Sequence, residues 1–207
     1  MKIEIWFDVA CPYCYIGLNH LENALNQFTG AKPEIVLRSF ELEPDVANNS
    51  GETLHLSLMR KYRQSALRAW QTLDTASNAG RAAGLLIDFD KVIITNTFNA
   101  HRLIHFAGTL GRDLEMKDRL FKAYFAEGKH IGKIAVLAEI AAELGIDATA
   151  VMDSDLYSAE VRKDEHESHH LGIRSIPFFL FDGKYSVSGA QAAETFLSLL
   201  TKLLVKT

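Results

Sequence analysis

Residues 3–17, IEIWFDVACPYCYIG, combine a β-strand pattern with two closely spaced cysteines. The first five of these residues alternate and are rich in β-formers, which predicts a strand over residues 3–7. A helix is expected over residues 11–28, because apolar residues then recur every three or four positions and Pro12 suits the first helical position. The strand therefore leads through a short loop into a helix whose first turn holds both cysteines.

Cys11 and Cys14 are the two cysteines of the chain, and they lie three residues apart. The thiolate is the nucleophile in disulfide exchange, and unpaired backbone N–H groups and the dipole at a helix N-terminus stabilise a thiolate. We therefore expect Cys11 to attack and Cys14, one turn later, to resolve the mixed disulfide. The expected redox group is this cysteine pair itself, with no further cofactor.

Two other interpretations of the cysteine pair stay open. The pair has the spacing of half a zinc site, and His166 and His170 have the spacing of a second half, although the gap between them far exceeds that of a zinc finger. Two buried, unreactive cysteines would also fit. Redox chemistry without a metal is the interpretation that the sequence favours.

The rest of the chain predicts further strands on either side of a long helical block. A second strand is expected over residues 34–41, and strands over residues 178–181 and 184–188 flank Asp182-Gly183, which is a strong hairpin signal. A helix over residues 190–204 closes the chain. The helices expected in the block cover residues 54–84 with a possible break, 97–110, 114–127, 134–144, 148–154 and 157–171.

This order, β-α-β, helical block, β-β-α, predicts an α/β fold. Specifically, we expect a thioredoxin-like fold, a four-stranded sheet flanked by helices, with a large all-helical insertion between the second and third strands. The expected division is a thioredoxin-like domain of residues 1–43 and 172–207 and an inserted helical domain of residues 44–171.

Ile176-Pro177 precedes the third expected strand. Proline is tolerated at the first position of a strand, and X–Pro bonds can be cis. In a thioredoxin fold a cis-proline at this place faces the cysteine pair and leaves the backbone of the preceding residue, here Ile176, free to pair with an extended substrate. An ordinary trans proline at the start of a strand is the alternative.

Composition and charge limit the possible partners. The net charge is −4, which does not provide the positive field that nucleic acid or anionic lipid would require. The most apolar stretches are short and interrupted, and the N-terminus begins directly with the strand pattern rather than with a signal peptide. We therefore expect a cytoplasmic protein with no nucleic-acid or membrane partner.

The chain resembles the DsbA superfamily and, within it, the cytosolic FrnE-type oxidoreductases. The resemblance covers nearly the whole chain and rests on five segments: residues 7–17, 96–103, 120–125, 172–179 and 188–191. It implies a DsbA-type fold, disulfide exchange or isomerisation on protein or peptide thiols, and a cis-proline at Pro177. One departure is Lys133, which stands where an acidic helix-capping residue is expected.

Several polar residues near these motifs are minor candidates for the site. Asp8 could relay a proton to Cys14, but a loop carboxylate that caps the helix or faces water is the favoured interpretation. Asn96 is expected to cap the helix that starts at Thr97, and His101 to be a satisfied structural group. Tyr13 is expected at the mouth of the site.

Two further function classes stay open. Kappa-class transferases and 2-hydroxychromene-2-carboxylate isomerases share the inserted thioredoxin fold but use Ser-Pro-Tyr to hold the thiolate of glutathione. A redox-controlled holdase would instead use an apolar groove. Glutathione as a co-substrate and a thioredoxin-type recycling partner are possible for the oxidoreductase, and the sequence leaves the oligomeric state undetermined.

Overall fold

A computed structural model, which describes residues 1–47 and 53–205, places four strands in one mixed sheet. Strand β1 (Lys2–Phe7) runs parallel to β2 (Glu34–Ser39) on one side and antiparallel to β3 (Phe178–Phe181) on the other. Strand β4 (Tyr185–Ser188) pairs antiparallel with β3, which gives the order β2-β1-β3-β4. The expected four-stranded thioredoxin-like sheet is confirmed.

Helices make up most of the rest of the described chain. Helix α1 follows β1, seven helices separate β2 from β3, and the last helix follows β4. Their bounds are α1 (Pro12–Gln27), α2 (Leu54–Tyr62), α3 (Ala66–Ala82), α4 (Phe98–Thr109), α5 (Asp113–Phe125), α6 (Ile134–Glu143), α7 (Thr149–Met152), α8 (Ser158–His170) and α9 (Ala193–Leu204). The expected helical insertion between the second and third strands is therefore present.

The alternation that predicts the strands also builds the core. Ile5 lies opposite Phe179 in the sheet, both side chains are fully buried, and Phe196 of α9 packs edge-on against Phe179. Helix α1 packs against α9. One hydrophobic cluster joins these residues to buried residues of the inserted helices, such as Leu120 and Leu137. The division into two domains stays a prediction.

The other side of the sheet is covered by α8. The indole Nε1 of Trp6 donates to the carbonyl of Asp164, 3.1 Å away, and Arg38 on β2 binds the Asp164 carboxylate at 2.9 Å. The backbone N–H of Ser39 and the His105 ring also contact that carboxylate. Polar bonds therefore connect α8, the last inserted helix, to β1 and to the edge strand β2.

Some boundaries differ from those expected. The helix over residues 54–84, for which a possible break was expected, is indeed broken at Arg63, which has a left-handed conformation (φ 48°). Strand β2 ends at Ser39 rather than at residue 41. One more backbone hydrogen bond follows it, from the N–H of Phe40 to the carbonyl of Phe7. Helix α9 starts at Ala193 rather than at residue 190, because Gly189 first turns the chain at φ 80°.

The hairpin between β3 and β4 has the expected turn. Asp182 and Gly183 have φ values of 49° and 66°, and the N–H of Lys184 donates to the carbonyl of Phe181. Two central residues with positive φ define the turn that matches strand twist in hairpins. None of the helices within residues 1–47 and 53–205 is both long and apolar enough to cross a membrane.

Candidate active site

Cys11 occupies the N-cap of α1, so the helix starts at Pro12, one residue after its expected start. Its Sγ accepts a hydrogen bond from the N–H of Cys14 at 3.3 Å, and Pro12 follows at the start of the helix. Both cysteines are free thiols. The Cys11 sulfur therefore lies where backbone N–H groups and the helix dipole favour negative charge.

Cys14 lies beneath Cys11 and is fully buried, whereas Cys11 is 5% exposed. Burial raises the pKa of the Cys14 thiol well above its usual value, and the neighbouring Cys11 raises it further, as does the charge of Asp8. A hydrogen bond from the Asp8 main chain opposes these effects. Cys14 therefore remains a protonated thiol under conditions in which a more accessible thiol could react.

Asp8 is buried directly before the cysteine loop, at 1% exposure. One carboxylate oxygen accepts from the N–H of Ala10 at 3.1 Å, and the other accepts from the N–H of Leu42 at 2.7 Å. The interpretation of Asp8 as a helix cap or water-facing group is wrong. The chain that leaves β2 covers the carboxylate, and the sulfur of Cys11 caps α1 instead.

His101 lies beside Asp8 in the interior. Its Nε2 is 3.6 Å from the Asp8 carboxylate and forms no hydrogen bond with any described residue. The ring contacts Phe7 edge-on, with 5.6 Å between centroids. The expectation of a satisfied structural histidine is therefore wrong, because its surroundings are an aromatic ring and a carboxylate beyond hydrogen-bond distance.

Asn96 acts at the start of α4 from one position further out than expected. Thr97 is the N-cap residue, but the Asn96 side chain accepts from the N–H of Phe98 at 2.9 Å. Its amide group donates to Glu41 and to the carbonyl of Pro44. Asn96 thus holds α4 against the segment after β2, and neither Asn96 nor His101 is among the residues that line the cavity next to Cys11.

Pro177 packs against α1 close to the cysteine turn. The peptide bond between Ile176 and Pro177 is cis. Both residues are buried, and a Cβ placed on Gly17 would lie 2.9 Å from the Pro177 Cγ. No backbone hydrogen bond joins Ile176 to another residue in the part of the chain that the structure describes. The free backbone expected at Ile176 is thus available, whereas its role in substrate binding stays a prediction.

A cavity of about 340 Å³ opens beside Cys11, between the cysteine loop and the inserted helices. Asp8, Pro12 and Tyr13 line it together with Cys11, and Tyr13 is 40% exposed. Other lining residues were not singled out as site candidates from the sequence. They include Leu42, Leu54, Leu58, Leu73, Ala76, Phe89, Ile94 and Tyr124.

The helical periodicity of α3 could have indicated that Leu73 and Ala76 share a buried face, but it contains no information about what that face contacts. Lys61 on α2 binds Glu43 at 2.9 Å at the same cavity.

The histidines considered as zinc ligands lie on α8. The Nε2 atoms of His166 and His170 are 3.2 Å apart. Among residues 1–47 and 53–205, no three His, Cys, Asp or Glu side chains are grouped closely enough to hold a metal ion.

Comparisons with known proteins agree with this architecture. A probable DsbA oxidoreductase from Streptomyces coelicolor is 36% identical, with a TM-score of 0.92 over 100% of this chain and 91% of that one. The cytosolic disulfide reductase DsbM from Pseudomonas aeruginosa is 18% identical, with a TM-score of 0.69 over 100% of both chains, and has also been solved with GSH. The uncharacterized protein YwbO of Bacillus subtilis is 26% identical over 201 residues, 95% of this chain and 94% of that protein.

The sequence profile of the DsbA-like thioredoxin domain matches residues 2–201, almost the whole chain. This match and the likeness to the Streptomyces oxidoreductase confirm the resemblance and the thioredoxin-like fold expected from the sequence. The chain belongs to the DsbA-like thioredoxin domain family.

Proposed function

We propose that this protein is a thiol–disulfide oxidoreductase in which Cys11 attacks a disulfide and Cys14 resolves the product. The observation that carries the proposal is the position of the Cys11 sulfur, which caps α1, accepts from the N–H of Cys14 and borders an open cavity. Charge at this sulfur is stabilised before any substrate binds. The fold family supports oxidoreductase chemistry in general, and the roles of the two sulfurs are part of the proposal.

The proposed exchange has two steps. The Cys11 thiolate attacks one sulfur of the substrate disulfide, which breaks the S–S bond, forms a mixed disulfide and releases one thiolate. The Cys14 sulfur then attacks Cys11 and releases the second substrate thiolate, so that the protein is oxidised and the substrate reduced by two electrons. Because the pKa of Cys14 is raised, its proton must leave during the second step, and Asp8 is the buried carboxylate close enough to influence it electrostatically.

The substrates belong to the proposal as well. We propose protein or peptide disulfides as substrates and glutathione as a co-substrate or recycling thiol. The structure of DsbM with GSH, a protein of the same fold that is 18% identical to this chain, supports glutathione as that thiol. A cytoplasmic location, in keeping with the cytosolic relative, is proposed on the same grounds.

Equilibration in glutathione buffers tests the proposal. The wild-type protein should pass through one two-electron transition to the Cys11–Cys14 disulfide, within the range of about −270 to −120 mV typical of this fold. Cys14→Ser should accumulate a glutathione adduct on Cys11, whereas Cys11→Ser should form none. Trapping with an alkylating reagent followed by mass spectrometry distinguishes these species.

Two outcomes would contradict the proposal. Cysteines that remain reduced at every glutathione ratio would show that the pair has no redox role. An adduct on Cys14 in Cys11→Ser would reverse the assigned roles. If Cys11→Ser retained full activity with glutathione and an organic substrate, the isomerase or transferase interpretation would replace the oxidoreductase.

A further inference from the structure

The cavity beside Cys11 has one polar and one apolar side. Leu73 and Ala76 on α3, together with Phe89 and Ile94, contribute apolar surface, and Leu73 and Ala76 are almost fully buried. Its volume of about 340 Å³ lies near the lower end of small-molecule sites, roughly 300–1,000 Å³. A pocket of this kind, with a nucleophilic sulfur in its wall, can enclose a compact apolar group.

Charge in the cavity is predominantly negative. The carboxylates of Asp8 and Glu43 line it, and Lys61 is the basic residue among the described lining residues. Lys61 is already paired with Glu43, so its charge is largely compensated, whereas the Asp8 carboxylate is buried. An anionic ligand would therefore be repelled, and an uncharged one would be accepted.

Tyr124 on α5 supplies an unused hydrogen-bond donor. The residue lines the cavity, is 3% exposed and donates no hydrogen bond within the described part of the chain. Burial raises the pKa of the Tyr124 phenol well above its usual value, and the charges of Asp8 and Glu43 add to this increase. The hydroxyl therefore stays protonated at neutral pH and can donate a hydrogen bond to an acceptor atom of a bound molecule.

Access to Cys11 also favours a small ligand. Only 5% of the residue is exposed, and α2, α3 and the segment around Leu42 line the same cavity. A disulfide within a polypeptide has backbone on both sides of each sulfur. A small disulfide does not, and one half of it can enter the cavity while its sulfur contacts Cys11.

We propose that this cavity binds one half of a small, uncharged, largely apolar disulfide with a hydrogen-bond acceptor, so that the protein reduces such compounds in addition to any polypeptide substrate. The inference rests on the proposed function, since it uses the same sulfurs. Cys11 forms a mixed disulfide with the bound half and releases the other half as a thiolate. The Cys14 sulfur then attacks Cys11, forms the Cys11–Cys14 disulfide and releases the bound half, whose thiolate takes up the proton lost by Cys14, so two electrons pass from the protein dithiol to the compound.

Single-turnover kinetics with the pre-reduced full-length protein test the inference. The probe is 2,2′-dipyridyl disulfide, which is uncharged at neutral pH, carries a ring nitrogen as acceptor and releases a chromophoric thione. Its observed rate should saturate with concentration, and Ala76→Phe, which fills the cavity, should lower its second-order rate by about tenfold or more. The rate with glutathione disulfide, which is charged, should change by less than about twofold.

Ala82→Phe is the matched control, because Ala82 is exposed at the end of the same helix and should affect neither rate. Tyr124→Phe tests the site without a change of volume, which covers the case that Ala76→Phe does not fold. It should slow 2,2′-dipyridyl disulfide by about threefold to tenfold, the value of one hydrogen bond. Diphenyl disulfide, which lacks the ring nitrogen, should be unaffected.

The possible failures are distinguishable. If the wild-type protein reduces neither 2,2′-dipyridyl disulfide nor glutathione disulfide, the proposed function is wrong and this inference fails with it. If both are reduced but folded Ala76→Phe and Tyr124→Phe slow them equally or not at all, the oxidoreductase stands and the cavity is not the binding site. Faster reaction with an apolar peptide disulfide than with the small probe would show that a polypeptide side chain occupies the cavity instead.

Discussion

At the residue scale, Cys11 and Cys14 differ although they belong to the same helical turn. The Cys11 sulfur borders the cavity and accepts from a backbone N–H, which stabilises negative charge there. Cys14 is fully buried, and burial, the neighbouring sulfur and the Asp8 carboxylate all raise its pKa. The two thiols should therefore differ strongly in reactivity in the reduced protein.

We predict that limiting iodoacetamide at pH 7 modifies Cys11 before Cys14. Thiolates are the reactive species, and the raised pKa of Cys14 keeps it protonated while its burial excludes the reagent. Peptide mapping of the partly alkylated protein measures the order. Cys14→Ser, as a control, should react at the wild-type rate, and faster labelling of Cys14 in the wild type would contradict the assignment.

At the scale of single elements, α1, whose first turn holds the cysteines, packs against the residues around Pro177. A Cβ added to Gly17 would lie 2.9 Å from the Pro177 Cγ and 3.2 Å from the Ala190 Cα. The first distance is shorter than normal contacts allow, and the second involves backbone, which cannot easily move. The missing side chain at Gly17 thus allows α1 to pack directly against the residues around Pro177.

We predict that Gly17→Ala destabilises the protein by about 1–3 kcal/mol through this overlap. Gly108→Ala is the control, because Gly108 is exposed in α4 and an added Cβ would meet only ordinary contacts of 3.6 Å or more. That control should stabilise the protein by about 0.5–1 kcal/mol through helix propensity. Urea unfolding of the three proteins measures the differences, and equal stabilisation by both substitutions would show that α1 can move away without cost.

At the scale of the whole molecule, Asp164 is the main polar connection between the insertion and the sheet. Arg38, the N–H of Ser39 and the His105 ring all contact its carboxylate. Burial raises the pKa of this carboxyl, but the bonds from His105 and Ser39 and the charge of Arg38 outweigh it, so the pKa lies below 3.8. The folded protein therefore favours the ionised form more than the unfolded chain does.

We predict that Asp164→Asn costs about 1–3 kcal/mol at pH 7, because Arg38 loses one charged partner and keeps another, Glu4. A carboxyl with a lowered pKa contributes its stabilisation above the unfolded value and loses it as the pH falls through the folded value. The difference between wild type and variant should therefore shrink below pH 3.8. Urea unfolding at pH 7 and at pH 3 measures it.

The control for this prediction is Asp153→Asn, an exposed aspartate shortly before α8, which should change stability little at either pH. A constant difference between wild type and Asp164→Asn down to pH 3 would show that the shape of the side chain, and not its charge, connects the helix to the sheet.

The sequence determined the features that depend on neighbouring residues. Alternation in residues 3–7, the proline after Cys11 and the Asp182-Gly183 turn each restrict the backbone locally, so the order of strands and helices could be predicted from them. The position of Cys11 at a helix N-terminus follows from the same local signals. The predicted ends of helices and strands were less accurate. The closing helix starts at Ala193 rather than at residue 190, because Gly189 first turns the chain.

Only the tertiary structure decided how distant residues meet at the cysteines. Asp8 lost its access to water because the chain after β2 passes over it and donates the N–H of Leu42. Tyr124 and Ala76 lie on the buried faces of two inserted helices. A periodic sequence pattern predicts that such residues are buried, but it does not predict whether a cavity remains between them. The cavity beside Cys11 exists because these helices pack around it, and packing between segments far apart in the chain has no local signature in the sequence.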